Sequence, residues 1–279
     1  MKQIIKRGSF FTLMFLLLGC LSLYAADNDL ITEQITIQLE KAGTLPARIG
    51  SSKRYKITNL KIIGEINGTD LRMIREMAGS NYIGNSTDGK LSVLDLSEAK
   101  IVEGGNYYYN YCYTSNDVIG RYAFYGCRGL TSLTLPAGIT SIGYGAFEGW
   151  RGLTSLTLPA GITEIDDDAF RDCSGLTSIY VYAEKVPKIG RNVFWGVDTK
   201  KCTLYVPMGT YDDYWLSGFG DYFENIVEFE ATGIDKTTIS TDVEEVARYS
   251  VNGQRLSAPT KGLNIVKYSD GSVKKVAVR

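Results

Sequence analysis

A 23-residue repeat in the middle of this 279-residue chain limits the folds open to it more than any other feature. The segment Leu130–Phe147, LTSLTLPAGITSIGYGAF, returns at Leu153–Phe170 as LTSLTLPAGITEIDDDAF. The register continues on both sides, so that Phe124 and Phe194 hold the position of Phe147 and Phe170. Such a period is typical of a solenoid, in which each repeat forms one coil that packs against its neighbours. We expect the four phenylalanines to form one buried ladder.

Each repeat opens with a pattern that predicts a short strand. Side chains alternate along a strand, so the spacing Leu-x-x-Leu-x-Leu turns Leu130, Leu133 and Leu135 inward and Ser132 and Thr134 outward. Strong or weak forms of the pattern lie at residues 57–62, 91–96, 130–135, 153–158, 176–181 and 201–206. Strands stacked about 4.8 Å apart predict a parallel sheet about 24 Å long, with short helical or irregular returns.

The ends of such a solenoid need covering, because they expose core and sheet edge. Residues 69–78 predict an amphipathic capping helix on the N-terminal side, with Leu71, Ile74 and Met77 at helical spacing and Thr69 or Asp70 as N-cap. The other end is rich in aromatic residues, which we interpret as a cap; the alternative is a carbohydrate platform. These aromatic residues are Tyr211, Tyr214, Trp215, Phe219, Tyr222 and Phe223.

The first residues predict export. Lys2, Lys6 and Arg7 precede an apolar run at 10–18, and the small residues Ala25 and Ala26 follow. This pattern is typical of a signal peptide over residues 1–25. The run is shorter than the roughly 20 residues of a membrane-spanning helix. The residues 17–20 (Leu-Leu-Gly-Cys) also resemble a lipobox, so lipidation of Cys20 is the alternative to ordinary cleavage.

The remaining chain divides into four predicted parts. They are an N-terminal strand and capping coil (26–90), the repeats (91–207), the aromatic cap (208–232), and a linker with a small antiparallel β module (233–279). In the module, Asn252-Gly253 and Asp270-Gly271 separate apolar alternations and predict hairpin turns. Its sequence resembles the C-terminal β modules of proteins exported by Gram-negative anaerobes, some of which are sorting signals. A sorting or anchoring role is therefore the alternative to a simple β module.

Composition excludes several kinds of chemistry. The chain has no histidine, which excludes serine or cysteine nucleophiles paired with histidine and histidine-containing zinc sites. Carboxylate-pair catalysis and a lysine or tyrosine mechanism remain open, although no catalytic pair stands out. The 30 basic and 31 acidic residues leave no basic surface of the kind that binds nucleic acid. Asp166, Asp167 and Asp168 are consecutive, whereas calcium loops space their ligands at alternate positions. We therefore expect no enzyme, cofactor or metal site.

Four cysteines remain after the signal segment: Cys112, Cys127, Cys173 and Cys202. Disulfides are common in exported proteins. However, Cys127 and Cys173 lie two coils apart, about 9.6 Å, which exceeds the reach of a disulfide. We expect buried thiols, with Cys112–Cys127 as the pairing that stays open.

The repeat unit resembles the BspA-like subgroup of leucine-rich repeats. That unit carries Leu-x-x-Leu-x-Leu-Pro, here Leu130–Pro136, and then Ile-x-x-Ile-Gly-x-x-Ala-Phe, here 139–147. Cys127 and Cys173 fall at the subgroup's cysteine position, from which Trp150 departs. The resemblance covers residues 57 to 230 and implies a leucine-rich-repeat solenoid.

The resemblance also implies a function. Such proteins are typically exported bacterial surface proteins, and some adhere to host extracellular-matrix proteins. We therefore expect an extracellular or outer-membrane protein that binds a protein partner in an adhesion-like manner without catalysis. The alternative is a carbohydrate-binding accessory protein of a surface glycan-uptake system.

Two candidate binding surfaces follow from the residues. Asn106–Tyr113 lies among the extra residues of the second coil, and tyrosine gives large, rigid contact area at low entropic cost. It predicts an exposed binding loop, unless its rings pack over the neighbouring coil; the tyrosines are Tyr107, Tyr108, Tyr109, Tyr111 and Tyr113. The second surface is the outward sheet face, with Val93, Asp95, Ser132, Thr134, Ser155, Thr157, Ser178 and Tyr180.

Overall fold

The computed structural model describes residues 30–230, 245–250, 255, 256, 258, 261–268 and 273–278. The chain divides into two compact units, Met1–Ala231 and Thr232–Arg279. The predicted signal segment with Cys20 and the linker at 233–244 lie outside the described residues. No helix in the described part is long and apolar enough to cross a membrane.

Short strands dominate the first unit. Its helices within 30–230 are α1 (Leu45–Ile49), α2 (Gly68–Met77) and α3 (Tyr211–Trp215). Its strands are β1 (Ile35–Leu39), β2 (Asn59–Ile66), β3 (Val93–Asp95), β4 (Ala99–Ile101), β5 (Gly104–Tyr109), β6 (Cys112–Thr114), β7 (Val118–Ile119), β8 (Ser132–Thr134), β9 (Ser141–Ile142), β10 (Ser155–Leu158), β11 (Glu164–Ile165), β12 (Ser178–Val181), β13 (Lys188–Ile189), β14 (Thr203–Pro207) and β15 (Ile226–Phe229).

Each of the six predicted segments contains a strand, and the pairings between these strands are parallel. One sheet has the order β1-β2-β3-β8, with β4 also on β2, and a second has the order β10-β12-β14-β15. The register follows the repeat, so that Ser155 lies beside Ser178 and Thr157 beside Tyr180. A shorter ladder, β7-β9-β11-β13, aligns the returning segments through Ile119, Ile142 and Ile165. These stacked coils form a leucine-rich-repeat solenoid.

The prediction of one continuous sheet is wrong, because β8 and β10 do not pair within residues 30–230. The indole of Trp150 is fully buried between these coils, with its ring 5.8 Å from Phe124 and 5.3 Å from Phe147. We attribute the interruption to this bulk, since cysteines occupy the equivalent position in the coils on either side. The short return ladder and the phenylalanine rings keep the coils in contact there.

The predicted phenylalanine ladder is confirmed. The rings of Phe124, Phe147, Phe170 and Phe194 are stacked nearly parallel, with successive centroids 5.5, 5.1 and 5.7 Å apart. All four side chains are buried. Because a single coil cannot bury its own ring faces, this ladder links the stability of each coil to that of its neighbours.

Helix α2 begins at Gly68, one residue before the predicted start. Its N-cap is Asn67, not Thr69 or Asp70: the Asn67 side chain accepts from the Thr69 amide at 3.0 Å. Asp70 reaches back to the Asn67 amide at 3.0 Å and also accepts from the Leu45 amide at 2.9 Å, so it ties α1 to α2. The predicted apolar face is buried at Leu71, Ile74 and Met77. That the helix caps the solenoid stays a prediction.

The aromatic segment after β14 is partly buried against the last coil. Tyr214, Phe219 and Phe223 are fully buried, and the Phe223 ring lies 4.9 Å from that of Phe194. The Tyr214 hydroxyl donates to the carbonyl of Ala183 at 2.7 Å. These contacts extend the phenylalanine ladder beyond its last repeat.

The cysteines in the described part are all free. Cys127, Cys173 and Cys202 are buried, as expected, and Cys112 is half-buried. The pairing of Cys112 with Cys127 that the sequence left open is therefore absent. Burial raises the pKa of Cys127 and Cys202 to about 11 and that of Cys173 to about 12, so these thiols stay protonated near neutral pH.

The second unit contains the antiparallel β module that the sequence predicts. Its strands are β16 (Glu245–Ser250), β17 (Arg255–Leu256), β18 (Gly262–Tyr268) and β19 (Val273–Val278), in the order β17-β16-β18-β19. The predicted turns Asn252-Gly253 and Asp270-Gly271 lie outside the described residues, although the strands that flank each turn pair antiparallel.

Candidate interaction surfaces

The predicted tyrosine loop is a β-hairpin built from β5 and β6. Asn110 and Tyr111 form its two-residue turn with positive φ angles of 41° and 64°. Two left-handed residues suit a tight hairpin, but a bulky tyrosine is uncommon there and the conformation is strained. Such strain persists only where the surroundings enforce it. Here the Asn110 amide donates to the Tyr82 carbonyl at 2.8 Å, which holds the turn against the preceding loop.

Tyr108 does not belong to the exposed surface, so its assignment as a binding residue is wrong. It is fully buried, and its hydroxyl donates to the Arg121 carbonyl at 2.9 Å. Gly120 makes room for this hydroxyl, which a Cβ at that position would overlap. Burial raises the pKa of Tyr108. The physical reason is strand alternation: Tyr107 and Tyr109 face one side of β5, and Tyr108 faces the core.

The tip of the hairpin is open to solvent. Tyr111 is 78% exposed and Tyr113 is 57% exposed. Both rings lie against the half-buried Tyr107, at 5.3 and 6.1 Å between centroids. The Tyr107 ring is also 5.5 Å from that of Tyr82, which the sequence interpretation did not include.

The last residue of β5, next to the hairpin turn, contacts a second group of tyrosines. The Tyr109 ring lies 5.7 Å from both Tyr122 and Tyr125, and Tyr122 lies 5.3 Å from Tyr144. Sequence reasoning overlooked these residues. Tyr122 and Tyr144 occupy the variable positions between Ile-Gly and Ala-Phe in their coils, and that variability was the available signal.

Arginine side chains lie over this group of rings. The Arg72 guanidinium is 3.5 Å from the Tyr82 centroid and 5.5 Å from that of Tyr107. Arg121 lies 5.8 Å from Tyr122 and 5.4 Å from Tyr144. We call the whole set the tyrosine surface. It comprises Tyr82, Tyr107, Tyr109, Tyr111, Tyr113, Tyr122, Tyr125 and Tyr144 with Arg72 and Arg121.

An open cavity of about 380 Å³ adjoins the tyrosine surface. Arg54, Arg72, Glu76 and Asn106 are among the residues that line it. Arg54 is neutralised by Glu76, with 2.7 Å between Nη1 and Oε2. Arg72 is therefore the lining residue that gives this cavity an unpaired positive charge.

The outward sheet face is smooth and polar in its middle coils. Ser132, Thr134, Ser155 and Thr157 are exposed, whereas Val93, Asp95, Ser178 and Tyr180 are half-buried. Asp95 is 3.5 Å from the Lys61 ammonium, and the Ser178 hydroxyl donates to that of Ser155 at 3.0 Å. The Lys61 ammonium also lies 2.6 Å from Glu98, so the charges around Asp95 pair with one another.

In the last coils, aromatic side chains cover this same sheet face. The rings of Tyr180 and Tyr205 are parallel with 4.3 Å between centroids, and Phe229 lies edge-on to Tyr180 at 5.9 Å. Sequence reasoning did not include Tyr205, although the alternation within 201–206 turns it outward. It could not include Phe229, because nothing in the repeat indicated that β15 pairs with β14.

Two of the three consecutive aspartates, Asp167 and Asp168, pair with arginines of the same chain. Asp167 accepts from the Arg191 amide at 2.7 Å and forms an ion pair with its guanidinium at 3.2 Å, and both contacts lower the pKa of Asp167. Asp168 is buried and lies 3.5 Å from Arg171. Within the described residues, no group of three cysteine, aspartate or glutamate side chains is arranged to hold a metal ion.

A comparison with protein families supports this fold. The family model described as "BspA type Leucine rich repeat region" matches residues 96–217 in six copies. Among solved structures, the chain is similar to a leucine-rich repeat protein from Bacteroides ovatus ATCC 8483, at 20% identity and a TM-score of 0.37. The similarity covers 71% of this chain but only 42% of that one. No curated protein matches the chain.

The family match sets a coarse expectation for function. Proteins with repeats of this type are usually bacterial surface proteins, and leucine-rich repeats are typically non-catalytic scaffolds that bind other proteins. Residues 96–217 of this chain thus form a leucine-rich-repeat region of the BspA type.

Proposed function

We propose that this chain is an exported cell-surface protein that binds another protein, without catalysis, through the tyrosine surface. One observation carries the proposal: Tyr111 and Tyr113 are exposed on a hairpin that the buried Tyr108 fixes to the core. The hairpin lies among the residues of its coil that the 23-residue repeat does not contain.

Preorganisation supports a binding role for this hairpin. Besides the Tyr108 hydroxyl, the Asn106 amide donates to the Thr69 hydroxyl at 3.0 Å, so β5 is also tied to helix α2. A rigid loop loses little conformational entropy when a partner binds. Tyrosine and arginine are also the residues that most often dominate binding energy at interfaces.

Export and surface location rest on the sequence. Residues 1–25 have the features of a signal peptide, and Cys20 offers a lipid anchor as the alternative. The module at 233–279 would serve sorting or anchoring. Within this proposal the partner is an adhesion target, such as a host extracellular-matrix or surface protein.

The absence of catalysis is also part of the proposal. The sequence has no histidine, so the most common proton-transfer residue near neutral pH is missing. Burial is the main cause of the raised pKa values of Tyr108, Tyr214, Cys127 and Cys173.

A binding panel tests this proposal. The chain without residues 1–25 is immobilised and exposed to purified host matrix proteins, alongside a variant that carries Tyr111→Asn and Tyr113→Ser. Asparagine is chosen at 111 because it tolerates the left-handed backbone. The proposal expects a protein ligand that the variant no longer retains. Retention of every ligand by the variant would refute the tyrosine surface as the binding site.

A second candidate function is carbohydrate binding, and one observation favours it. On helix α3, Tyr211 and Trp215 are 39% and 45% exposed, and their rings are parallel within 6°. Exposed aromatic rings offer amphipathic faces to a sugar. Binding on a glycan array that is lost in Tyr211→Ala with Trp215→Ala would support this function, and no bound glycan would count against it.

A further inference from the structure

Two arginines of the tyrosine surface lack a carboxylate partner. Arg72 and Arg121 form no ion pair within residues 30–230, where their contacts are with tyrosine rings. Arg54, by contrast, pairs with Glu76, and Arg191 pairs with Asp167. The chain as a whole carries slightly more acidic than basic residues. Two unpaired guanidinium groups on one aromatic surface therefore give that surface a local positive charge.

The rings orient these cations for binding. A guanidinium that lies over an aromatic face keeps its in-plane N–H groups free at the edge. Arg72, at 3.5 Å from the Tyr82 centroid, is held in this way at the border between the cavity and the hairpin. The edge of a guanidinium matches a carboxylate through two parallel hydrogen bonds.

The exposed rings complete a mixed surface. Tyr111 and Tyr113 supply apolar area, and each phenol supplies a hydroxyl that can donate to a carboxylate. An acidic chain would find cations at both ends of the surface: Arg72 on the hairpin side and Arg121 on the side of Tyr122 and Tyr144. Complementary charge of this kind steers association and selects among partners.

We propose that the tyrosine surface recognises an acidic segment of its protein partner, whose carboxylates pair with Arg72 and Arg121. This inference rests on the proposed function, since it names the chemistry of the partner at the same surface. The unpaired arginines carry it, because a neutral or basic partner would leave both guanidinium groups desolvated without compensation.

A pair of fluorescent peptides tests the chemistry directly. One peptide alternates glycine with glutamate, and its control alternates glycine with glutamine. We expect binding of the glutamate peptide alone, with an affinity that falls as salt screens the charges. Arg121→Gln should weaken binding by at least about fivefold, since it removes charge-assisted hydrogen bonds.

A matched control separates a local effect from net charge. Arg151 is also exposed, and its side chain lies over no aromatic ring within residues 30–230. Arg151→Gln changes the net charge equally and should leave peptide affinity unchanged. An equal loss with Arg151→Gln, or no binding of the glutamate peptide, would overturn the inference. So would binding of heparin without binding of the peptide, because the ligand would then be a sulfated glycan.

The protein partner from the binding panel distinguishes this inference from the proposed function. If Tyr111→Asn with Tyr113→Ser abolishes partner binding while Arg72→Gln and Arg121→Gln do not weaken it, the acidic partner is wrong and the tyrosine surface stands. If none of these changes weakens binding, both the acidic partner and the tyrosine surface as the binding site are wrong. Urea unfolding of each variant confirms that it is folded, which matters most for Arg72 because of its contact with Tyr82.

Discussion

The guanidinium of Arg75 donates a hydrogen bond to the backbone carbonyl of Ala123, with 2.8 Å between the two atoms. The same side chain also donates to the carbonyls of Tyr122 and Tyr125, at 2.9 Å each. Arg75 is fully buried on helix α2 and lies 4.4 Å from the ring of Tyr109. It therefore joins the helix to the following coil and positions the turn that carries two tyrosines of the surface.

Replacement of Arg75 by methionine should destabilise the solenoid strongly. The change leaves the backbone carbonyls of Ala123 and Tyr125 without their donor, whereas that of Tyr122 still accepts from the Tyr125 amide at 3.1 Å. Each unpaired buried group costs about 1–3 kcal/mol, so we expect the free energy of unfolding in urea to fall by at least about 2 kcal/mol. Arg72→Met on the same helix loses a ring contact and should cost only about 1 kcal/mol. Equal losses for the two variants would contradict this role of Arg75.

The phenylalanine ladder predicts a graded response at Phe147, which stacks on Phe124 and Phe170. Phe147→Ala opens a cavity between coils and should lower the free energy of unfolding by about 3–5 kcal/mol. Phe147→Leu fills most of the space and should cost less than about 1.5 kcal/mol. Thr134→Ala, on the exposed sheet face, serves as the control and should change stability by less than about 0.5 kcal/mol. A small effect of Phe147→Ala in urea unfolding would argue against the ladder as the core.

The burial of the thiols predicts the order in which they react with a disulfide reagent. At about pH 8, Cys127, Cys173 and Cys202 should resist a disulfide reagent, because they are buried and their raised pKa values keep them protonated. The half-buried Cys112 should react first, and Cys112→Ser should remove that phase. After unfolding in urea, the thiols at 112, 127, 173 and 202 should all titrate. Loss of two of them from the titration would reveal a disulfide that this fold does not contain.

Tyr144 predicts a dependence of stability on alkaline pH. Its hydrogen bonds to Asp168 and Tyr122 raise its pKa from about 10 to about 12. The folded protein thus holds this proton more tightly than the unfolded chain, so the stabilisation is complete below about pH 10 and is lost as pH rises towards 12. In urea unfolding, the stability difference between the wild type and Tyr144→Phe should be constant below pH 10 and shrink above it. A difference that does not change across this range would contradict the hydrogen bonds.

The repeat made the coil predictable, since each apolar position recurs and each buried ring needs a partner in the next coil. Departures from the repeat were harder to interpret. Trp150 replaces a cysteine, yet its Nε1 donates to the Phe124 carbonyl at 2.9 Å, just as the Cys173 thiol contacts the Phe147 carbonyl at 3.2 Å. The residue type changed while the hydrogen bond to the preceding coil was kept.

The binding surface was predictable only in part. An inserted segment rich in tyrosine indicated a contact surface, but without the hairpin register the sequence did not separate the buried Tyr108 from the exposed Tyr111 and Tyr113. Three arginines cover tyrosine rings: Arg72, Arg75 and Arg121. Each arginine is either distant in sequence from its ring or lies on a turn whose direction depends on tertiary packing. Contacts of this kind follow from the folded coil and leave no local pattern.

The most direct test of the account is the affinity of the protein partner for the hairpin tip. Titration of the partner against the wild type, Tyr111→Asn with Tyr113→Ser, and the control Tyr211→Ser gives three dissociation constants. Exposed aromatic anchors at interfaces each contribute about 2 kcal/mol, so the hairpin variant should bind at least about 30-fold more weakly, and Tyr211→Ser should bind like the wild type. Equal affinity of the hairpin variant and the wild type, with both folded, would contradict the central claim.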